Sequence, residues 1–170
     1  DTIHKLGEIA SSLKSLKKVV VVSYTTSKPK IGAIKKSVHL KDFVKPFKPG
    51  PIKFEQVPFN HPLFIMFSSG TTGVPKCIVH GHGGTLLQHL KEHRLHTDLK
   101  IGDRFFYFTT CGWMMWNWLV TGLASGTTLL LFDGSPTYPK PDTLFDFADQ
   151  ERMTVFGTSA KYIDAINKLG

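Results

Sequence analysis

Only two cysteines occur in 170 residues, Cys77 and Cys111, and no Cys-x-x-Cys spacing relates them, which leaves neither a disulfide framework nor a thiolate zinc site to organise a fold. A single bridge between the two stays open on the sequence, but both lie in or beside predicted strands and are expected to be buried reduced thiols. Arginine is absent from the first 50 residues, although these hold eleven lysines against Asp1, Glu8 and Asp42 and thereby carry the whole net charge of +8. A lysine-only stretch with few aromatics is a solvated surface, not a base-reading or stacking face, so nucleic acid is not expected as a partner. Long apolar runs are missing as well. None is long enough to cross a bilayer and no signal peptide is recognisable, so the expectation is no membrane partner and a cytoplasmic location. What remains, 41% hydrophobic with 12% aromatic, suffices to bury a core of one domain. The chain begins at Asp1 and ends at Leu169-Gly170 within a helical pattern, and it is read as an internal fragment of a longer protein.

The most informative stretch is Ile65 to His80, an apolar run, a loop of hydroxyls and glycines, and a second apolar run. A polyphosphate needs many hydrogen-bond donors at short range and a positive charge on a mobile arm. Gly70 and Gly73 let main-chain N–H groups approach an anion, Ser68, Ser69, Thr71 and Thr72 add hydroxyls, and Lys76 supplies the charge. Pro75 makes direct entry into a helix unfavourable, and the lysine follows the second glycine by three residues, so the P-loop spacing is not met. The bland alternative is a polar hairpin turn.

The run Ser68-Ser69-Gly70-Thr71-Thr72-Gly73-Val74-Pro75-Lys76 resembles the phosphate-loop signature of the adenylate-forming enzymes. The flanks Cys77 to His80, Gly83 to His93 and Thr109 to Trp118 resemble the acetoacetate-activating branch, and nearly the whole chain shares that likeness. Cys77, where the wider superfamily usually has glycine or alanine, fits that branch. The resemblance implies an α/β fold, a largely parallel sheet flanked by helices, within the large N-terminal domain. It further implies an acid–thiol ligase whose small-molecule substrates are acetoacetate, ATP and coenzyme A. Thr71 and Lys76 take the catalytic positions, and Ser68, Ser69, Gly70, Thr71, Thr72, Gly73 and Lys76 the nucleotide site. Magnesium is implied with its principal protein ligand outside this segment, as are the ribose-binding aspartate and the C-terminal lysine. The chain alone is therefore expected to lack ligase activity and to need the remainder of its parent chain.

In chain order, Ile3, Leu6, Ile9, Leu13 and Leu16 predict an amphipathic helix, and Val19 to Val22 a buried strand. The expected organisation is a helix and strand over 1–24, a Pro/Lys-rich surface connection over 25–60, and an α/β core over 61–170. That core holds the phosphate loop at 67–76 and an acyl-pocket segment at 112–118. A helix from Thr85 is expected to turn Leu86, Leu87 and Leu90 inward and to leave His89, His93 and His96 at the surface or its boundary. His80 and His82 have no cysteine or carboxylate at ligand spacing, and a metal site is not expected there. Gly112 to Trp118 follows a strand end at the start of a helix, where open α/β sheets place ligands. By resemblance Trp113, Met114 and Met115 line an acyl site. Trp116 and Asn117 are read as substrate-binding too, with Asn117 as a donor toward a 3-oxo group, while Trp118, Leu119 and Leu123 are read as core. Strands at Phe105–Phe108, Thr127–Phe132 and Thr154–Gly157 alternate with helices from Thr143, as cap, and Ser159. Rival readings are a non-catalytic ATP-binding module and a plain interaction domain.

Overall fold

The computed structural model describes residues 2–68 and 73–169. It divides into two compact units, Asp1–Glu55 and Gln56–Gly170. In the first, helix α1 (Thr2–Ser12) precedes strand β1 (Val19–Val21), and β2 (Ser37–His39) leads directly into a short helix α2 (Leu40–Val44). The helix ends before Leu13 because the Ser11 and Ser12 hydroxyls both donate to the Glu8 carbonyl, at 2.7 and 3.1 Å, and compete with the backbone ladder. Val19 to Val21 is half-buried, not buried as expected. Among the described residues it pairs, in parallel, with β2 alone, and Val22 beyond it is exposed. The proline-rich 25–60 stretch thus contains a strand and a helix that its composition hides.

The second unit opens with an antiparallel hairpin, β3 (Pro62–Phe67) and β4 (Cys77–Gly81). Helix α3 (His82–Lys91) follows and widens into a π-helical turn at Glu92–His96. Then come β5 (Arg104–Tyr107), α4 (Met114–Thr121) with a 3-10 turn to Ser125, β6 (Thr128–Leu130), α5 (Thr143–Gln150), β7 (Val155–Gly157) and α6 (Ala160–Leu169). Strands β6, β5 and β7 form a parallel sheet in that order, with Phe105 opposite Leu129 and Val155. Successive side chains of β5 point to opposite faces, and each face has its own core. Phe106 packs with Leu130, Leu144 and Tyr162 under α5 and α6, whereas Phe105 packs with Leu99 and Leu119 under α4. This is the helix-flanked parallel sheet expected of the α/β class.

Small differences have local causes. Asp142 stands at the N-cap position of α5, and the Thr143 hydroxyl instead donates to the Lys140 carbonyl at 2.6 Å. Ser159 does cap α6, its hydroxyl accepting from the Tyr162 N–H at 3.2 Å. Leu123, expected in the core, is exposed on the 3-10 turn. Leu144 is fully buried between sheet and α6, so Leu144→Ala is expected to destabilise this unit by about 2–5 kcal/mol, read as a lower urea midpoint.

Candidate active site

The hairpin β3–β4 brings the loop ends together, with Phe67 paired to Cys77 at its last rung. Beyond that rung the Ser68 N–H donates to the Lys76 carbonyl at 2.9 Å, and the Lys76 N–H donates to Ser68 Oγ at 3.1 Å. This closes the neck and leaves the Ser68 hydroxyl proton without an acceptor among the described residues. Gly73 has φ of 149°, a region that L side chains rarely enter. Lys76 is exposed and forms no ion pair with a described residue. Ser69, Gly70, Thr71 and Thr72 lie outside the described residues, so the geometry concerns the neck and Lys76.

Helix α4 lies against this hairpin. The Asn117 amide Nδ2 donates to Met66 Sδ on β3 at 3.3 Å. Around that contact a cavity of about 590 Å³ has Trp113, Met114 and Asn117 on one wall and Phe64, Met66 and His80 on the other. Trp113 stands at the N-cap in extended conformation and is 65% exposed. Met114 also reaches, with Met115, a second cavity of about 650 Å³ between β4, α3 and α4. Trp116 is turned to the opposite flank. It packs near Phe105 and Leu119 and lines a third cavity, about 400 Å³, with residues that follow β5 and β6. Four of the five expected substrate-binding residues therefore share the hairpin side of α4, and Trp116 does not.

Both cysteines are free thiols as expected, but exposed where burial was expected. Cys77 sits on the last rung of a hairpin that no third strand joins among the described residues, and Cys111 in the turn ahead of α4. The histidines are the larger correction. Helix α3 turns Thr85 and His89 inward, with His93 following on the π turn, while Leu86 and Leu87 are exposed. Gly83 fixes this rotation. Its N–H donates to the Phe59 carbonyl at 2.9 Å, and a Cβ there would fall 2.0 Å from the Phe59 ring. The His93 ring lies 4.5 Å from that of Trp118 and 5.7 Å from that of Phe105. Neither of its nitrogens has a hydrogen-bond partner of normal geometry. Burial, with His89 nearby, pushes its pKa down from 6.5 to about 4, opposed in part by the Trp118 backbone and Glu92. His89 is lowered too, first by burial and then by His80, against Glu92.

Residue-by-residue reading missed Met66, Thr85 and His89 as parts of these walls, and Thr121 as the partner of His89. The signal available was the i, i+4, i+8 spacing of Thr85, His89 and His93, which marks one helix face as surely as leucines do. Among the described residues no three His, Cys, Asp or Glu converge on a point suited to a metal ion.

A closed loop neck with an exposed lysine and a Trp-Met wall at the start of a helix thus belong to one unit that also holds a helix-flanked parallel sheet. The match to the family model described as AMP-binding enzyme runs over residues 1–170, and the chain belongs to that family. Within it, acetoacetyl-CoA synthetase of Rhizobium meliloti (strain 1021) is 57% identical over 100% of this chain and 26% of its own length. That of Gallus gallus is 50% identical over 98% of this chain and 26% of its own. The solved structure of acetoacetyl-CoA synthetase from Streptomyces lividans superposes with a TM-score of 0.85 at 43% identity, covering all of this chain and 25% of that one. The chain thus spans about a quarter of the length of the relatives it matches.

Proposed function

We propose that this chain is the phosphate-loop and acyl-pocket portion of a longer acid–thiol ligase that acts on acetoacetate, ATP and coenzyme A. The observation that carries the reading is the hairpin itself. Its neck carries Lys76, and its strand β3 meets Asn117 of α4, which supports a reading in which one hairpin serves both the nucleotide and the acyl sides.

In the first half-reaction a carboxylate oxygen of acetoacetate attacks the α-phosphorus, the bond from that phosphorus to the bridging oxygen breaks, and pyrophosphate leaves. Lys76, the Ser68 hydroxyl and the loop residues Ser69 to Gly73 hold the β- and γ-phosphates and offset the charge that builds on the leaving group. In the second, the thiol of coenzyme A attacks the acyl carbon, its proton is lost, and AMP departs. Thr71 is proposed to act with Lys76 on the phosphates. The described residues offer no cluster of His, Cys, Asp or Glu that would hold magnesium.

Trp113 and Met114 wall the acyl chain, with Met115 on the α3 side. Asn117 presently donates to a thioether, a weak acceptor that a ketone oxygen outcompetes, and this supports its role toward the 3-oxo group. Asn117→Leu in the full-length protein is expected to lower discrimination between acetoacetate and butyrate about tenfold, a loss of roughly 1.4 kcal/mol. Coenzyme A thioester formation measured with acetoacetate, butyrate and acetate tests the reading. Faster turnover of acetate or butyrate by the unmodified protein would remove acetoacetate as the substrate.

A further inference from the structure

The cavity between β4, α3 and α4 contains a polar group that the functional reading leaves unused. His89 is 94% buried by its 6% exposure, and it lines this cavity opposite Met114, Met115 and Trp118. Its Nδ1 lies 3.0 Å from Thr121 Oγ1, and that hydroxyl lies 2.8 Å from the Asn117 carbonyl. A carbonyl oxygen only accepts, so the one hydroxyl proton of Thr121 goes to Asn117. Both hydrogen bonds are then satisfied only when His89 donates from Nδ1–H. Burial, which lowers the pKa of His89, favours the neutral ring, and its Nε2 lone pair then has no partner among the described residues. Unlike the nitrogens of His93, Nε2 is not sealed in the packing but reached from the cavity.

A buried acceptor left open to a cavity favours a ligand that brings a donor, because filling the cavity with an acceptor or a methyl group leaves the lone pair desolvated and unpaired. We propose that His89 is a specificity-determining residue whose Nε2 accepts a hydrogen bond from an N–H or O–H of the ligand in this cavity. The inference rests on the acid–thiol ligase reading, which supplies two sources of that chemistry. One is the amide N–H nearest the thiol of coenzyme A; the other, since the keto form of acetoacetate carries no donor on its chain, is the hydroxyl of its enol, for which hydroxyl- and amide-bearing acids serve as probes. The relay from Thr121 to the Asn117 carbonyl fixes the ring, so the acceptor is presented in one orientation.

The test uses the full-length protein and its His89→Asn and His89→Leu variants. Asparagine can keep a donor toward Thr121 while removing Nε2; leucine removes both. Pyrophosphate exchange without coenzyme A is compared for 3-hydroxybutyrate, malonamate and butyrate, and KM for coenzyme A is measured separately in the complete reaction. A KM for coenzyme A raised about tenfold in both variants, with the acid ranking retained, assigns the donor to the thiol arm. A loss of preference for the donor-bearing acids over butyrate in both variants assigns it to the acyl chain. Unchanged KM and ranking in His89→Asn, with thermal melting unaltered, overturns the proposal. So does a change confined to His89→Leu, which makes the residue a structural partner of Thr121. Failure of the unmodified protein to activate acetoacetate overturns the functional reading alone, because the variants can still be compared on whichever acid it takes.

Discussion

Lys76→Ala in the full-length protein is expected to lower the rate of adenylate formation about 10²- to 10³-fold, the range found when one preorganised charge or donor is removed from a developing anion. The effect belongs mainly in kcat. Charge on the departing pyrophosphate grows between ground state and transition state, so the ammonium stabilises the latter more. Lys76→Arg is expected to recover only part of the rate, because a planar fork replaces a compact point charge at the neck closed by Ser68. Single-turnover adenylation at saturating ATP checks both variants. A fall of less than threefold in the alanine variant would detach Lys76 from the chemistry and leave the loop as a turn.

Acid is expected to destabilise the second unit before its carboxylates titrate. His93 is buried and neutral, with a pKa of about 4 in the folded chain against 6.5 for an ordinary histidine. The unfolded chain therefore takes up this proton first as pH falls. The stabilising contribution is fully present above pH 6.5 and is lost progressively as pH falls toward 4, by about 3 kcal/mol if the whole shift is expressed. His89, lowered in the same direction, adds to the slope. Urea midpoints between pH 7 and 4.5 measure it. His93→Phe, which keeps a ring against Trp118 and Phe105, is expected to flatten the profile. Should that variant not fold, the ring resonances of His93 in the native protein give its pKa directly, and a value near 6.5 would contradict this explanation.

The strand–loop–strand form around the loop was legible from its residues, because an apolar run, a glycine-rich polar stretch and a second apolar run are local signals. The alternation of helix and strand also conveyed the parallel sheet, since Phe105 and Phe106 lie in a short apolar run between turns. Tertiary decisions were not legible. Whether leucines or histidines of α3 face inward depends on the rotation set where Gly83 meets Phe59, residues 24 apart in sequence. Likewise nothing local to Asn117 indicates that its amide meets Met66, which places it on the hairpin side, while Trp116 one residue earlier turns away. The burial of the cysteines, though not their reduced state, was misjudged for the same reason, because apolar neighbours in sequence do not imply a covering layer in space.

The measurement that bears most directly on the account is acetoacetate-dependent exchange of labelled pyrophosphate into ATP by the full-length protein in the absence of coenzyme A. The account predicts exchange that requires acetoacetate and falls sharply in Lys76→Ala. Binding of ATP without exchange for acetoacetate, acetate or butyrate would contradict it and make the hairpin loop a nucleotide-sensing device.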